Sequence, residues 1–357
     1  MKIYNNNETV LEAARNRMSF LFDNFEEINV SVSSGKDSTV LYHLALSEAI
    51  KRNRKIKVFF LDQEAEYENS ISIIKIQMNH PNVIPIWYQV PIYMTNATSY
   101  DEYFLYAWGV GEEWVREKDS IAIHSEEGAP SRFYEFFPWY EGKNKDAAYL
   151  VGIRAEEGVI RFRAVTKFKG WGGLRWSTVT NGCSKFYPIY DWTVYDIWKY
   201  IYDYNIPYNK IYDLMFMDNV SIYNKMRVSN LIHEKSYKAL IDLPKYEPDT
   251  YNKLCKRIGG ISTAMRYASE KLVFSNKTLP KHYKNWEEFR DFLLLNINNE
   301  DHRNKFFDRF EKQDQNERTY QAQVGQLLIN DYENSRSFDT KKDEKIEKLK
   351  EKWKQIL

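Results

Sequence analysis

The chain has 357 residues, 43% hydrophobic and 16% aromatic, enough for a large core or for two to three domains. Lysine plus arginine number 51 against 50 acids, a balance that carries no strong nucleic-acid signal. Two cysteines exclude a disulfide framework, and no apolar run reaches the roughly 18 residues of a membrane span, so a soluble, cytoplasmic protein is expected.

Residues 8–25 predict an amphipathic helix with Val10, Leu11, Ala14, Met18, Leu21 and Phe22 on its apolar side. Residues 28–32 follow as a buried strand. Ser33, Ser34, Gly35, Lys36, Asp37 and Ser38 then interrupt the apolar pattern, and a helix is expected from Thr39 onward with Val40, Leu41, Leu44 and Leu46 inside. Strand, small-residue loop and helix together aim free backbone N–H groups and a helix dipole at an anion. Gly35 lets backbone approach a ligand, Lys36 adds a mobile charge, and the three serines add hydroxyl donors. Asp37 is a candidate to hold a magnesium ion beside phosphates. The spacing GxxxxGK[ST] is absent, because Val30 and Asp37 stand where its first Gly and its Ser/Thr belong. An ordinary polar turn is the competing reading.

Residues 55–61 form a second expected strand ending at Asp62, residues 67–79 a helix, and residues 83–90 a third strand. This rhythm implies a parallel, doubly wound sheet, whose ligands lie beyond the carboxyl ends of the strands. Asp62 would there meet a ribose or a metal, or else cap a turn. Residues 91–147 lose the rhythm and gather aromatic residues, as a lid or substrate loop would, and His124 has no companions for a zinc site. Residues 147–153 read as a fourth strand running into Arg154, Glu156, Glu157, Arg161 and Arg163. Arginine suits bidentate phosphate or sulfate binding, although alternation about Phe162 also fits a surface strand.

Residues 170–173 read as a flexible loop, and Thr193 with Asp196 as an acidic capping box opening a helix that carries Ile197, Trp198 and Ile201. Beyond Tyr212 the chain is mostly helical, over 223–243, 248–257, 262–269 and 286–296, with Pro244, Gly259, Gly260 and Pro280 as breaks. Residues 298–320 are heavily charged. Residues 341–357 predict a Lys/Glu helix whose Ile346, Leu349, Trp353 and Leu357 face the body or a partner.

The loop at 33–38 resembles the SxGxDS pyrophosphate loop of the adenine nucleotide α-hydrolase (PP-loop) superfamily. Followed in order by Gly152-Ile-Arg-Ala-Glu-Glu-Gly158, by Arg161 and by the run 187–201, it resembles the phosphoadenosine phosphosulfate (PAPS) reductase-like family over roughly residues 8–215. The segments around 226–229 and 257–260 are similar to the IbrA-type branch, which implies a ParB-like partner. The resemblance implies an α/β, doubly wound parallel sheet of α-hydrolase type over 1–215, including the 91–147 insertion. It further implies a helical region over 216–300 and a charged tail over 301–357. It implies that Ser33, Ser34, Gly35, Lys36, Asp37 and Ser38 bind nucleotide phosphates, with Asp62 and Arg161 near them and Arg154 at the anionic end of the substrate. Lys36, Asp37 and Arg154 would carry catalysis.

Reductases of this family place a catalytic cysteine in a C-terminal ECG(I/L)H motif, whereas residues 276–357 contain no cysteine and only Cys183 offers a thiol in a loop. Gly158 also replaces the serine that often follows glutamate there. Binding of ATP with magnesium, cleavage between its α and β phosphates and adenylation of an unidentified acceptor is therefore the expected function. A PAPS- or APS-binding enzyme, or a nucleotide-sensing regulatory subunit without turnover, are the alternatives.

Overall fold

The computed structural model describes residues 1–4, 7–95, 104–166, 170–222, 226–231, 239–261, 278–328, 330–331 and 334. The chain divides into two compact units, one of residues 1–94, 106–231 and 242–257, the other of 95–105, 232–241 and 258–357. The division does not fall at residue 215, because the chain on either side of 231 stays bonded to the first unit. Leu231 N–H donates to the Ala65 carbonyl at 2.8 Å, and Glu247 accepts from the Glu68 and Asn69 N–H groups at 2.7 and 3.0 Å.

In the first unit, helix α1 (Val10–Asn24) starts at the N-cap Thr9, whose hydroxyl and Glu12 form a capping box. Its buried side, Val10, Ala13, Ala14, Met18, Leu21 and Phe22, is the stripe read from the sequence apart from Ala13 and the half-buried Leu11. Strand β1 (Ile28–Ser31), helix α2 (Lys36–Lys51), strand β2 (Ile56–Leu61), helix α3 (Glu68–Met78) and strand β3 (Val83–Tyr88) follow in the expected alternation. Strands β4 (Ile92–Thr95) and β5 (Phe104–Ala107) form a separate pair, and helix α4 (Phe133–Gly142) leads to β6 (Ala148–Leu150). Helix α5 (Val159–Thr166), strands β7 (Ser177–Thr180) and β8 (Cys183–Phe186), and helices α6 (Val194–Asp203) and α7 (Ile211–Met217) complete the order to Met217.

The six-stranded sheet has the order β3-β2-β1-β6-β8-β7, parallel throughout except for β7 against β8. Val30 pairs in register with Val58 on one side and with Leu150 on the other. These three, with Phe60 and Phe186, join one continuous core with the buried sides of α1, α2, α3 and α6. Alternate residues Asn29, Phe59, Tyr88 and Tyr149 point to the opposite face. There Tyr140 of α4 lies 4.3 Å from the Phe59 ring and donates to Asn29 Oδ1 at 2.7 Å. Helices on both faces of a mainly parallel sheet make the α/β fold that the alternation predicted.

Several sequence expectations need correction. Helix α2 begins at Lys36 rather than Thr39, because Gly35 takes the extended N-cap conformation and places Asp37 and Ser38 in the first turn. Arg161, Phe162 and Arg163 lie in α5, not on a surface strand. The fourth strand is confined to Ala148–Leu150, and residues 170–173 hold a 3₁₀ turn. Residues 226–231 are not helical, so the helix expected over 223–243 is not continuous, and among its described residues only those from 239 onward, in α8 (Ala239–Tyr246), are helical. Pro244 lies inside α8 instead of ending it. The Glu247 N–H to Leu243 carbonyl bond at 2.8 Å carries the chain on into α9 (Pro248–Arg257). The expected helices at 262–269 and 341–357 lie outside the described residues.

In the second unit, helices α10 (Trp286–Leu295), α11 (Glu300–Phe310) and α12 (Glu317–Leu327) each start at an asparagine N-cap, Asn285, Asn299 and Asn316. Leu294, Ile297, Phe306, Phe310 and Leu327 form its core. The charge-rich stretch from 298 is thus the polar exterior of two short helices.

Candidate functional site

Strand order reverses between β1 and β6, so the segments leaving these two strands open onto one crevice at their carboxyl ends. The segment after β1 is the serine-rich loop. Ser34 adopts a positive φ of 55°. Ser33 N–H donates to Ser38 Oγ at 3.2 Å, and Ser38 Oγ donates to the Gly35 carbonyl at 3.0 Å, folding the loop tightly over the start of α2. Asn209 Nδ2 holds Ser34 Oγ at 3.3 Å and Ser70 Oγ at 2.9 Å. The first N–H groups of a helix have no intrahelical acceptor. Here Lys36 N–H finds one outside, the Tyr212 hydroxyl at 3.1 Å.

The segment after β6 delivers Arg154. Gly152 makes this approach possible, since a Cβ there would lie 3.0 Å from Ser38 N and 3.1 Å from Asp37 C. Arg154 is 1% exposed and donates through Nε to Asp37 Oδ1. Asp37 Oδ2 takes Lys36 Nζ at 2.9 Å. Arg154 Nη1 reaches Glu156 Oε2 at 2.7 Å, and the same oxygen accepts Val194 N–H of α6 at 2.8 Å. Glu157 lies 3.9 Å from Arg154 Nη2 and pairs with Arg161. Lys36, Asp37, Arg154, the two glutamates and Arg161 therefore form one connected ionic chain at the α2 N terminus. A positive helix end, an ammonium and a buried guanidinium in one crevice can hold a phosphate or sulfate by charge-assisted hydrogen bonds.

Electrostatics add a residue that sequence reasoning missed. Burial holds the half-buried Arg161 below the ordinary guanidinium range, repulsion from Arg227 adds to this, and Asp37 opposes it. Tyr212 was missed as well. Burial pushes its hydroxyl well up, while the N–H groups of Lys36 and Val228 favour its anion. No motif marks Tyr212 or Asn209, because each reaches the loop through tertiary folding.

Asp62 is placed differently from the ligand role considered for it. It is 0% exposed, and its carboxylate accepts from Trp87 Nε1, Gln89 Nε2 and Glu64 N–H, each at 2.9 Å, and from Arg116. Beside it Glu64 accepts Trp108 N–H at 2.7 Å, Val115 N–H at 3.0 Å and Arg257 Nε at 3.0 Å. These acids anchor the aromatic insertion and α9 to the end of β2. Glu66, also buried there, is pushed up to about 8 by burial and by the Asp62 charge.

Asp37 does not fit magnesium as a resting ligand, since one oxygen faces Lys36 and the other Arg154, and no step below is routed through the metal. Among the described residues no group of three or more His, Cys, Asp or Glu could hold a metal ion. Cys183 opens β8, at the amino ends of the parallel strands and so opposite the crevice, and burial followed by Glu141 pushes its thiol up, away from a reactive thiolate. Among the described residues no helix is long and apolar enough to cross a membrane.

A model described as the phosphoadenosine phosphosulfate reductase domain matches residues 27–266. The chain belongs to that family. A second model, a domain of unknown function (DUF3440), matches residues 220–353. The uncharacterized protein YbdN of Escherichia coli (strain K12) is 30% identical over 306 residues, covering 80% of this chain and 75% of YbdN. An adenosine 5′-phosphosulfate reductase of Bacillus cereus (strain AH187) is 22% identical over 209 residues, covering 58% of this chain and 77% of the reductase. A crystal structure of phosphoadenylyl-sulfate reductase from Candida auris is similar at 14% identity and a TM-score of 0.35, covering 60% of this chain and 93% of that one. Within this chain, the family match spans both the serine-rich loop and the Arg154 segment.

Proposed function

We propose that the crevice binds an adenine nucleotide and supports cleavage between its α and β phosphates, with transfer of the adenylyl group to an acceptor. The observation that carries this reading is the meeting of Lys36, Asp37 and Arg154 at the N terminus of α2. Lys36 and the first-turn N–H groups would take the charge that develops on the leaving pyrophosphate. Arg154, now held by Asp37 and Glu156, would grip the anionic end of the substrate. Ser33, Ser34, Gly35 and Ser38 would shape the cradle, and Arg161 would stand beside it. Lys36 and Arg154 would first have to turn from Asp37 to the phosphates. The IbrA-type resemblance extends the proposal to a ParB-like protein partner in the cytoplasm.

The test is pyrophosphate release from ATP with magnesium, alongside nucleotide binding, for the wild type and Lys36→Ala. Release that depends on Lys36 supports the reading. Binding without release, restored by a ParB-like protein, supports the nucleotide-sensing alternative. No binding, with Lys36→Ala unchanged, overturns the assignment of the loop.

Sulfonucleotide chemistry is the second reading, favoured by the family match and by the similarity to a B. cereus protein named as an adenosine 5′-phosphosulfate reductase. Cys183 sits at the wrong end of β8 for thiol attack in the crevice. On this reading the protein binds PAPS or APS without the reductase step, and preferential binding of PAPS over ATP would support it.

A further inference from the structure

Helix α2 has no local cap. Its N-cap residue is Gly35, which offers no side chain to the first N–H groups, whereas Thr9, Thr193 and three asparagines cap α1, α6 and α10–α12 through theirs. At α2 the acceptor comes from 176 residues away, as Lys36 N–H donates to the Tyr212 hydroxyl oxygen at 3.1 Å. Tyr212 is 3% exposed, and its ring meets Trp198 of α6 edge-on at 5.3 Å. Its oxygen lies 3.7 Å from the point where a Cβ on Gly35 would stand, directly over the turn that opens the helix. Asn209, one turn earlier and fully buried, donates to the Ser34 and Ser70 hydroxyls at 3.3 and 2.9 Å. One short segment leading into α7 therefore closes over the serine-rich loop.

The first N–H of a helix is one of the groups that an anion at the N terminus would take. It has a single hydrogen to give, and a phosphate oxygen seated about 2.9 Å from Lys36 N would crowd the hydroxyl oxygen now bonded there. Between the two acceptors the charged one wins, since a hydrogen bond to an ionised oxygen is roughly twice as strong as a neutral one. We propose that the Tyr212 hydroxyl occupies the place of a phosphate oxygen and that a nucleotide phosphate displaces it on binding. Tyr212 belongs to the seven-residue helix α7 and ties it to the loop, so losing this bond loosens α7. The inference rests on the nucleotide-binding reading and sets one residue that opposes binding against those that favour it.

Titration calorimetry with ATP and with adenosine, magnesium present, on the full-length wild type, Tyr212→Phe and Lys36→Ala tests it, together with hydrogen exchange of the wild type. Phenylalanine keeps the ring against Trp198 and removes only the competing oxygen. Tyr212→Phe is expected to bind ATP about two- to ten-fold more tightly, the range of one neutral hydrogen bond, and adenosine, which carries no phosphate, as the wild type does. Unchanged or weaker ATP binding, or an equal gain for adenosine, overturns the inference. In the wild type, exchange over residues 211–217 should quicken when ATP binds. Unchanged or slower exchange there means that Tyr212 keeps its place, and overturns the inference without recourse to any variant. ATP binding that depends on Lys36 while Tyr212→Phe gains nothing overturns it alone and leaves the nucleotide reading standing. No ATP binding by any of the three proteins overturns both.

Discussion

Arg154 Nε donates directly to Asp37 Oδ1, two groups 117 residues apart in the chain and both nearly closed off from solvent. The pair exists because β1 and β6 are adjacent parallel strands, so their outgoing segments meet. Arg154→Ala would leave Asp37 and Glu157 without their shared guanidinium. Loss of one partner from a buried ionic network costs about 3 kcal/mol or more, which urea denaturation would register. Arg154→Lys keeps the charge but not the fork, so it should recover stability more fully than nucleotide binding. Full recovery of both would show that only charge matters here.

Gly152→Ala tests the close approach of the two segments. A Cβ at this position meets backbone atoms of Asp37 and Ser38 at 3.0–3.1 Å, and backbone cannot step aside as a flexible side chain does. The variant should fold, lose about 1–3 kcal/mol of stability through overpacking, and bind nucleotide at least ten-fold more weakly because the loop is pushed outward. Unchanged binding would mean that the loop geometry tolerates the shift.

Glu66 makes stability depend on pH in a stated direction. Burial raises its carboxyl from 4.5 to about 8, so the folded protein holds this proton more tightly than the unfolded chain. Its neutral form is harmless at pH 5. As pH rises from about 4.5 towards 8 the unfolded chain ionises freely while the folded protein resists, and stability falls. The upper bound is about 4–5 kcal/mol. Glu66→Gln should therefore stabilise the protein more at pH 8.5 than at pH 5.5 in urea denaturation. A wild-type-to-variant difference that is constant with pH would contradict the assignment.

Glu247 caps α3 from 179 residues away, accepting Glu68 N–H at 2.7 Å and the Asn69 amide groups at 3.0 and 2.8 Å. Tyr67, the residue at the cap position, offers no side-chain bond of its own. Glu247→Ala should cost roughly 1–2 kcal/mol, and hydrogen exchange of the first turn of α3 should accelerate. A fall in stability without faster exchange there would place the effect elsewhere.

What could be read in the sequence was whatever is local. The β1 loop, the alternation of strands and helices and the Thr193 capping box depend on neighbours within a few residues, and each formed where its residues pointed. The α2 boundary was misplaced by three residues because Lys36, Asp37 and Ser38 read as loop polarity although they occupy a helical first turn. Asp62 shows the opposite difficulty. A carboxylate at the end of a parallel strand looks the same whether it faces a ribose or, as here, Trp87, Gln89 and Arg116. Tyr212 carried no periodic or motif signal, since its place depends on α7 folding back onto the start of α2.

The double engagement of Asp37 also bears on which anions the crevice would admit. Lys36 and Arg154 already share one internal carboxylate, so an incoming ion that engages them must draw both away from it. A chloride ion, gripping one of them at a time, would gain less from doing so than an anion that reaches both. If the crevice binds nucleotide as proposed, a polyphosphate chain that engages both together would offset that loss, and Asp37 would act as a filter against small anions.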